Sequence, residues 1–139
     1  MKKNIFISTG EVSGDLHGSL LATELINESK KQSIDLDIYG LGGEKMKKAG
    51  VKIIHDTTPI SAIGIMEAIP LILPMIKIQK KFFQKLIAKS PNCLILIDYM
   101  GPNISIGRKL KRKKINMPIY YYIAPQEWAW RVGNNSTTD

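Results

Sequence analysis

Ile5-Phe6-Ile7-Ser8-Thr9-Gly10-Glu11-Val12-Ser13-Gly14-Asp15 is the stretch on which the fold turns. Residues 5–8 are apolar, short and bounded by Gly10, which reads as a buried strand. A helical pattern follows, with Leu16, Leu20, Leu21 and Leu25 predicted on its inner face. Where a strand hands over to a helix in a parallel α/β sheet, the turn lies at the carboxyl end of the sheet, on the ligand-binding side. Here that turn carries the carboxylates of Glu11 and Asp15 and the hydroxyl of Ser13 among glycines. A loop made only to cradle phosphate would keep carboxylates away from a helix N-terminus. The turn therefore points to hydroxyl-bearing or sugar-like groups. Helix capping explains part of the same pattern: Ser13 as N-cap, and acids at the positive helix end worth ~0.3–1 kcal/mol each. Capping does not explain Glu11, which precedes the helix.

Outward from this turn, strands and helices alternate. Residues 36–39 read as a second strand. Gly40-Leu41-Gly42-Gly43 then turns into a short helix over 44–49, stopped by Gly50. Residues 51–54 make a third strand, and 59–74 are apolar and broken by Gly64, Pro70 and Pro74. The clearest helix spans 75–89, with Met75, Ile78, Phe82 and Leu86 on one face beside Ile76, Phe83 and Ile87. Residues 92–97 form a continuous apolar strand ending in Asp98. Pro102 opens a helix that ends in the basic run 108–114, and 118–123 is a fifth strand. Apolar strands alternating with helices predict an α/β fold, a Rossmann-like parallel sheet with helices on both faces. One domain is expected over 1–131, followed by a polar tail over 132–139.

The composition is that of a soluble globular domain: 44% hydrophobic and 23% charged residues in a chain of 139. The net charge of +8 implies an anionic partner such as a membrane surface, a phosphate-bearing substrate or nucleic acid. Of the 20 basic residues, 17 are Lys. Specific nucleic-acid readers lean on Arg, so this balance speaks against that option. Cys93 is the one cysteine, which excludes an internal disulfide and a thiolate metal site. His17 and His55 lack metal-ligand spacing, so no metal is expected. Lys2-Lys3 leads only a short apolar stretch, and no charge-free run reaches the ~20 residues of a spanning helix. A cytoplasmic location is expected.

Three further features carry chemistry. Asp98 ends an apolar strand, where a carboxylate emerges at the ligand-binding edge of the sheet and is suited to general-base work. The same residue also fits as an N-cap for the helix opening at Pro102. Gly40-Leu41-Gly42-Gly43 resembles half of a dinucleotide fingerprint, but the G-x-G-x-x-G spacing fails at Glu44-Lys45, which argues against a nicotinamide-binding oxidoreductase. Lys77, Lys81 and Lys85 recur at i, i+4 beside the apolar stretch 63–76. That combination suits a membrane-surface patch, with Leu71, Leu73, Met75, Ile76, Lys77, Lys81 and Phe82 facing the membrane. Plain core packing and a solvated lysine face explain the same residues. Trp128, Trp130 and Arg131 read as interface aromatics with a phosphate-binding arginine, or as residues packed against further chain.

Together, Gly10 to Asp15, the glycine-rich segment 40–50, Gly64-Ile65-Met66-Glu67, Ile97-Asp98 with Asn103, and Trp128-Ala129-Trp130-Arg131 resemble the lipid-A-disaccharide synthase family of GT-B glycosyltransferases. Many members carry a second aspartate where this chain has Gly101. The resemblance implies the N-terminal, acceptor-side half of a GT-B fold. It further implies inverting transfer of 2,3-diacylglucosamine from UDP to the 6-hydroxyl of 2,3-diacylglucosamine 1-phosphate. It implies Asp98 as base with Glu11 as second candidate. Ser13, Gly14, Asp15, Asn103 and Arg131 would be substrate-binding. It also implies no cofactor, an inner-membrane surface as partner, a C-terminal UDP-binding half, and little activity for this chain alone. A basic nucleic-acid-binding module using residues 108–114 is the alternative from another class, with steep salt dependence as its mark.

Overall fold

The computed structural model describes residues 2–61, 70 and 72–123. The element order is β1 (Lys2–Ser8), α1 (Val12–Lys31), β2 (Asp35–Gly42), α2 (Glu44–Lys48), β3 (Lys52–Asp56), α3 (Thr58–Ser61), α4 (Ile72–Lys89), β4 (Cys93–Ile97), α5 (Met100–Arg112) and β5 (Ile119–Ile123). All strand pairs are parallel, in the order β3-β2-β1-β4-β5. This is the predicted α/β architecture.

Two apolar layers cover the sheet. Phe6, Leu41, Leu94 and Leu96 pack with Ile78, Phe82 and Leu86 of α4 and with Ile106 and Leu110 of α5. The Phe6 ring stacks on Tyr39 at 5.2 Å and tilts against Phe82 at 5.6 Å. Ile7, Ile38, Ile95 and Ile97 pack on the opposite side with Ala22 and Met46 of α1 and α2. The alternation along β1, with Phe6 on one side and Ile7 on the other, is the pleat expressed in side chains. Burying such aromatic and aliphatic side chains stabilises the fold by ~1.5–3 kcal/mol each.

Chain order outruns strand order at one place. The chain builds leftward from β1 through β2 to β3, then crosses to β4 and builds rightward to β5. The order therefore reverses between β1 and β4. In open α/β sheets the crevice beyond the carboxyl ends of two such strands is where ligands bind. Glu11 follows β1 and Asp98 follows β4.

Several local expectations need correction. α1 does not turn Leu16 and Leu20 inward: both are exposed, as is Val12, and Gly14, Asp15, Gly18, Ala22 and Ser29 are buried instead. Small residues permit this close approach; a Cβ at Gly18 would lie 2.7 Å from Met46 Sδ. Gly40 and Gly42 belong to β2 rather than to a turn, so no phosphate loop forms there. A Cβ on Gly42 would fall 2.3 Å from Met46 Sδ, so that glycine serves helix packing. Phe82 is fully buried and is no membrane residue, because it shares the sheet-facing side of α4 with Ile78 and Leu86. Ile76 and Ile87 project outward on the other side. α5 begins at Met100, ahead of Pro102.

Candidate active site at the strand-order reversal

The β1–α1 turn is built for close approach. The N-cap of α1 is Glu11, in extended conformation, and Asp15 N–H donates to Glu11 O at 2.8 Å. Ser13 is not the cap; it lies inside the first turn and is exposed. Gly14 is buried against β1, where an added Cβ would sit 1.7 Å from Thr9 Oγ1. That position sets the helix on the strand and offers no surface to a substrate.

Asp15 is also turned away from the crevice. It is 3% exposed. Its Oδ1 accepts from the backbone N–H groups of Gly43 (2.7 Å) and Met46 (3.0 Å), and Oδ2 from Lys45 N–H (3.1 Å). These are amides at the start of α2, which lack partners within their own helix. Asp15 therefore caps a neighbouring helix, and charge-assisted bonds of this kind are the strong ones. Gly43 makes room for it, since a Cβ there would be 2.9 Å from Asp15 Oδ2.

The β4–α5 turn is strained. Asp98 (φ 44°) and Tyr99 (φ 53°) are consecutive non-glycine residues in the left-handed region. Each such residue costs ~1–3 kcal/mol and persists only when its surroundings enforce it. Asn103 does much of the enforcing. It is fully buried, and its amide nitrogen donates to Asp98 O at 2.7 Å while its Oδ1 accepts from Ser8 Oγ at 2.6 Å. Asn103 thus ties the end of β1 to the turn after β4. So placed, the side chain is engaged in holding the two turns together. Asp98 N–H also donates to Ile123 O at 2.8 Å, closing the turn against β5.

The two turns meet at Gly10, whose backbone carries the Tyr99 ring. Glu11 is exposed and Asp98 half-buried. Although Glu11 is exposed, partial desolvation pushes its carboxyl above the ordinary value, and the Asp98 charge adds to the rise. The Tyr99 phenol is raised mainly by burial and also by Glu11; the Gln79 carboxamide comes near it without a well-formed hydrogen bond and pulls the other way. Tyr121 is raised by burial and by Asp98. Glu11 is thus coupled to Asp98 and to Tyr99, and Asp98 to Tyr121. The helices α1 and α5 both begin here, so two positive helix ends face the same space.

Sequence reasoning missed Tyr99, Gln79 and Tyr121. Tyr99 had a signal, since it follows Asp98 directly and needs a bare backbone opposite, which Gly10 supplies. Gln79 sits on the buried side of α4 and gave none.

Beside the rim, a cleft of about 300 Å³ runs between α4 and α5, with Ile72, Ile76, Gln79, Gly101 and Pro102 among its walls. Leu73 is 69% and Ile76 56% exposed. Met75 is half-buried, while Lys77 and Lys81 face solvent. Lys85 is exposed too, and its ammonium lies 5.6 Å from the centre of the Tyr39 ring. Leu71, Gly64 to Glu67, Trp128, Trp130, Arg131 and the tail 132–139 lie outside the described residues. The basic run follows α5 away from the rim, to the opposite edge of the sheet. Among the described residues no group of three or more acidic, histidine or cysteine side chains is placed to hold a metal ion, and no helix is long and apolar enough to cross a membrane.

Residues 5–137 match the family model described as lipid-A-disaccharide synthetase. The chain is 48% identical over 134 residues to a lipid-A-disaccharide synthase of Prochlorococcus marinus, covering 96% of this chain and 34% of that protein. It is 46% identical over 135 residues to one of Gloeothece citriformis, covering 97% and 35%. It is 40% identical over 131 residues to lipid-A-disaccharide synthase 1 of Legionella pneumophila, covering 91% and 32%. The chain spans about a third of the length of these relatives.

Proposed function

The chain belongs to the lipid-A-disaccharide synthetase family, and on that footing we propose that it forms the acceptor-side part of a glycosyltransferase. The reaction is transfer of 2,3-diacylglucosamine from its UDP derivative to the 6-hydroxyl of 2,3-diacylglucosamine 1-phosphate. The observation that carries this reading is the placement of Glu11 and Asp98 together at the strand-order reversal, with the Asp98 charge raising the Glu11 carboxyl.

In the proposed step the acceptor O6–H bond breaks as O6 bonds to the anomeric carbon of the donor. The bond from that carbon to the UDP oxygen breaks with its electron pair, inverting the centre. One proton leaves O6, and the Glu11–Asp98 pair takes it. A base works best with a pKa brought toward working pH, and two adjacent carboxylates achieve this because the second charge makes the first more basic. The open helix ends at Glu11 and Tyr99 favour phosphate charge nearby. Ser13, exposed in the first turn of α1, would bond a sugar hydroxyl.

The apolar edge of α4 supports acylated substrates. Leu73 and Ile76 lie open beside the cleft, with Lys77 and Lys81 next to them. Apolar side chains flanked by lysines suit attachment to an anionic membrane surface. We place the protein at the cytoplasmic face of the inner membrane, with a UDP-binding C-terminal half as the expected partner.

The test is a chimera in which this chain replaces the matching third of the Prochlorococcus marinus relative. The chimera should form disaccharide from the two acylated substrates. Asp98→Asn and Glu11→Gln should each lower kcat by ~10²–10⁴-fold, the range of general acid–base contributions. Full activity in both variants would refute the proposed role. The chain by itself should transfer no sugar.

A further inference from the structure

α4 buries one residue that packing on the sheet does not explain. Gln79 is 8% exposed, on the same helix as the buried Ile78, Phe82 and Leu86. Its Oε1 and Nε2 are both shut off from water, and neither makes a well-formed hydrogen bond among the described residues. A buried carboxamide without partners destabilises a fold, whereas an apolar side chain of the same shape would not. The last torsion of a glutamine is soft, so this carboxamide can turn toward an incoming group at little cost.

Gln79 belongs to the wall of the cleft of about 300 Å³ between α4 and α5. That wall runs from the exposed Ile72 and Ile76 past Met75 to the buried Gln79, and across to Gly101 and Pro102. Apolar walls with a few placed polar groups are how proteins hold small ligands, the polar groups fixing orientation. Gly101 has nothing within 4 Å of where its Cβ would stand, which leaves room on the α5 side. The Gln79 carboxamide also comes near the phenol of Tyr99, whose ring rests on Gly10. Through Gln79 and Tyr99 the cleft adjoins the rim that holds Glu11 and Asp98.

We propose that this cleft seats one acyl chain of a sugar substrate and that Gln79 reads the linkage at the head of that chain. The methylenes lie between α4 and α5, against Ile72, Met75 and Ile76. Gln79 Nε2 donates to the carbonyl of the linkage, and Oε1 accepts from an N–H or hydroxyl of the same sugar. The sugar is then left beside Tyr99, at the rim. Gln79 is in this role a specificity-determining residue, not a catalytic one. A plain hydrocarbon would account for the apolar walls but would leave the carboxamide without partners. The inference rests on the proposed reading of the substrate as an acylated sugar. Its readout is binding without transfer, so its failure and the failure of the proposed reaction are separable.

The experiment is calorimetric titration of the full chain with two probes below their micelle-forming concentrations. One is N-dodecanoylglucosamine; the other is 2-O-dodecylglucose, with an ether in place of the amide. The amide probe should bind at least tenfold more tightly. Gln79→Met should erase that preference by weakening the amide probe at least tenfold. The same variant should melt no lower than the parent, because it removes two unpaired buried polar atoms. Gly101→Leu, which adds a side chain to the cleft wall, should weaken both probes at least tenfold. Equal binding of the two probes by the parent, or binding of neither, would overturn the proposal. So would a preference that survives Gln79→Met, or undiminished binding in Gly101→Leu. A Gln79→Met chain that melts well below the parent would give the residue a structural role and overturn it too.

Discussion

Tyr99 rests its ring on the backbone of Gly10, so closely that a Cβ added at position 10 would fall 2.1 Å from Tyr99 Cε2. This contact joins the turn after β1 to the turn after β4, and with them Glu11 to Asp98. Gly10→Ala should destabilise the chain by ~1–3 kcal/mol through overpacking. Combining it with Tyr99→Ala should recover part of the loss, since the two positions share one contact. Urea unfolding of the two single variants and the double variant measures that coupling. Strict additivity would mean the ring does not hold the turns together.

Asp15 and Ser13 separate structural from surface roles within one turn. Asp15→Ala leaves three amides at the start of α2 without their acceptor. A loss of ~2–3 kcal/mol is expected, the scale of unsatisfied buried donors. Ser13→Ala should stay within ~0.5 kcal/mol, because the hydroxyl is exposed and caps nothing. Thermal melts of both variants check the contrast.

Glu11 makes the stability of the chain fall with rising pH over a defined window. Its folded-state pKa is raised above the ordinary glutamate value of 4.5, by partial desolvation first and by Asp98 second. Between that value and the raised one, the folded chain binds more protons than the unfolded chain, so stability declines as pH rises. Glu11→Gln removes the ionisation. The variant should melt higher than the parent at neutral pH, and the difference should close as pH falls below 4.5. Melting curves across that range test both the sign and the window.

Phe82 and Leu73 lie on one helix and should behave oppositely. Phe82→Ala empties a fully buried site and should cost ~3–5 kcal/mol. Leu73→Ser should leave stability within ~0.5 kcal/mol. Combined with Ile76→Ser, it should lower binding to anionic vesicles. Sedimentation with such vesicles reads the second effect, and unchanged binding would remove the apolar edge of α4 as a membrane contact.

The sheet was legible because its strands are short apolar runs at regular spacing, and a parallel order follows from the alternation with helices. The carboxyl-edge positions of Glu11 and Asp98 were legible for the same reason. Roles within the turns were not. Asp15 and Asn103 look like ligand-binding residues in one dimension, and only the tertiary fold brings the start of α2 to the first and Ser8 to the second. The inward face of α1 was misread because leucines outrank glycines in any apolar pattern, yet here Gly14 and Gly18 make the contact. Phe82 was misassigned by proximity in sequence to Leu73 and Ile76, although the helical period sets it on the opposite side. Tyr99 escaped notice because its importance lies in a left-handed backbone and a ring contact, neither of which has a composition signal.

The proposed proton acceptor requires Glu11 and Asp98 to form one electrostatic unit across the reversal of strand order. Asp98→Asn is a clean probe, because asparagine tolerates the left-handed backbone at that position. The direct measurement is an NMR titration of the Glu11 side-chain carboxyl in the parent chain and in Asp98→Asn. The Glu11 midpoint should lie above the ordinary glutamate value in the parent and move down in the variant, as the neighbouring charge is removed. An identical midpoint in both chains would show that the two carboxylates do not act on each other, and would contradict the proposed proton acceptor.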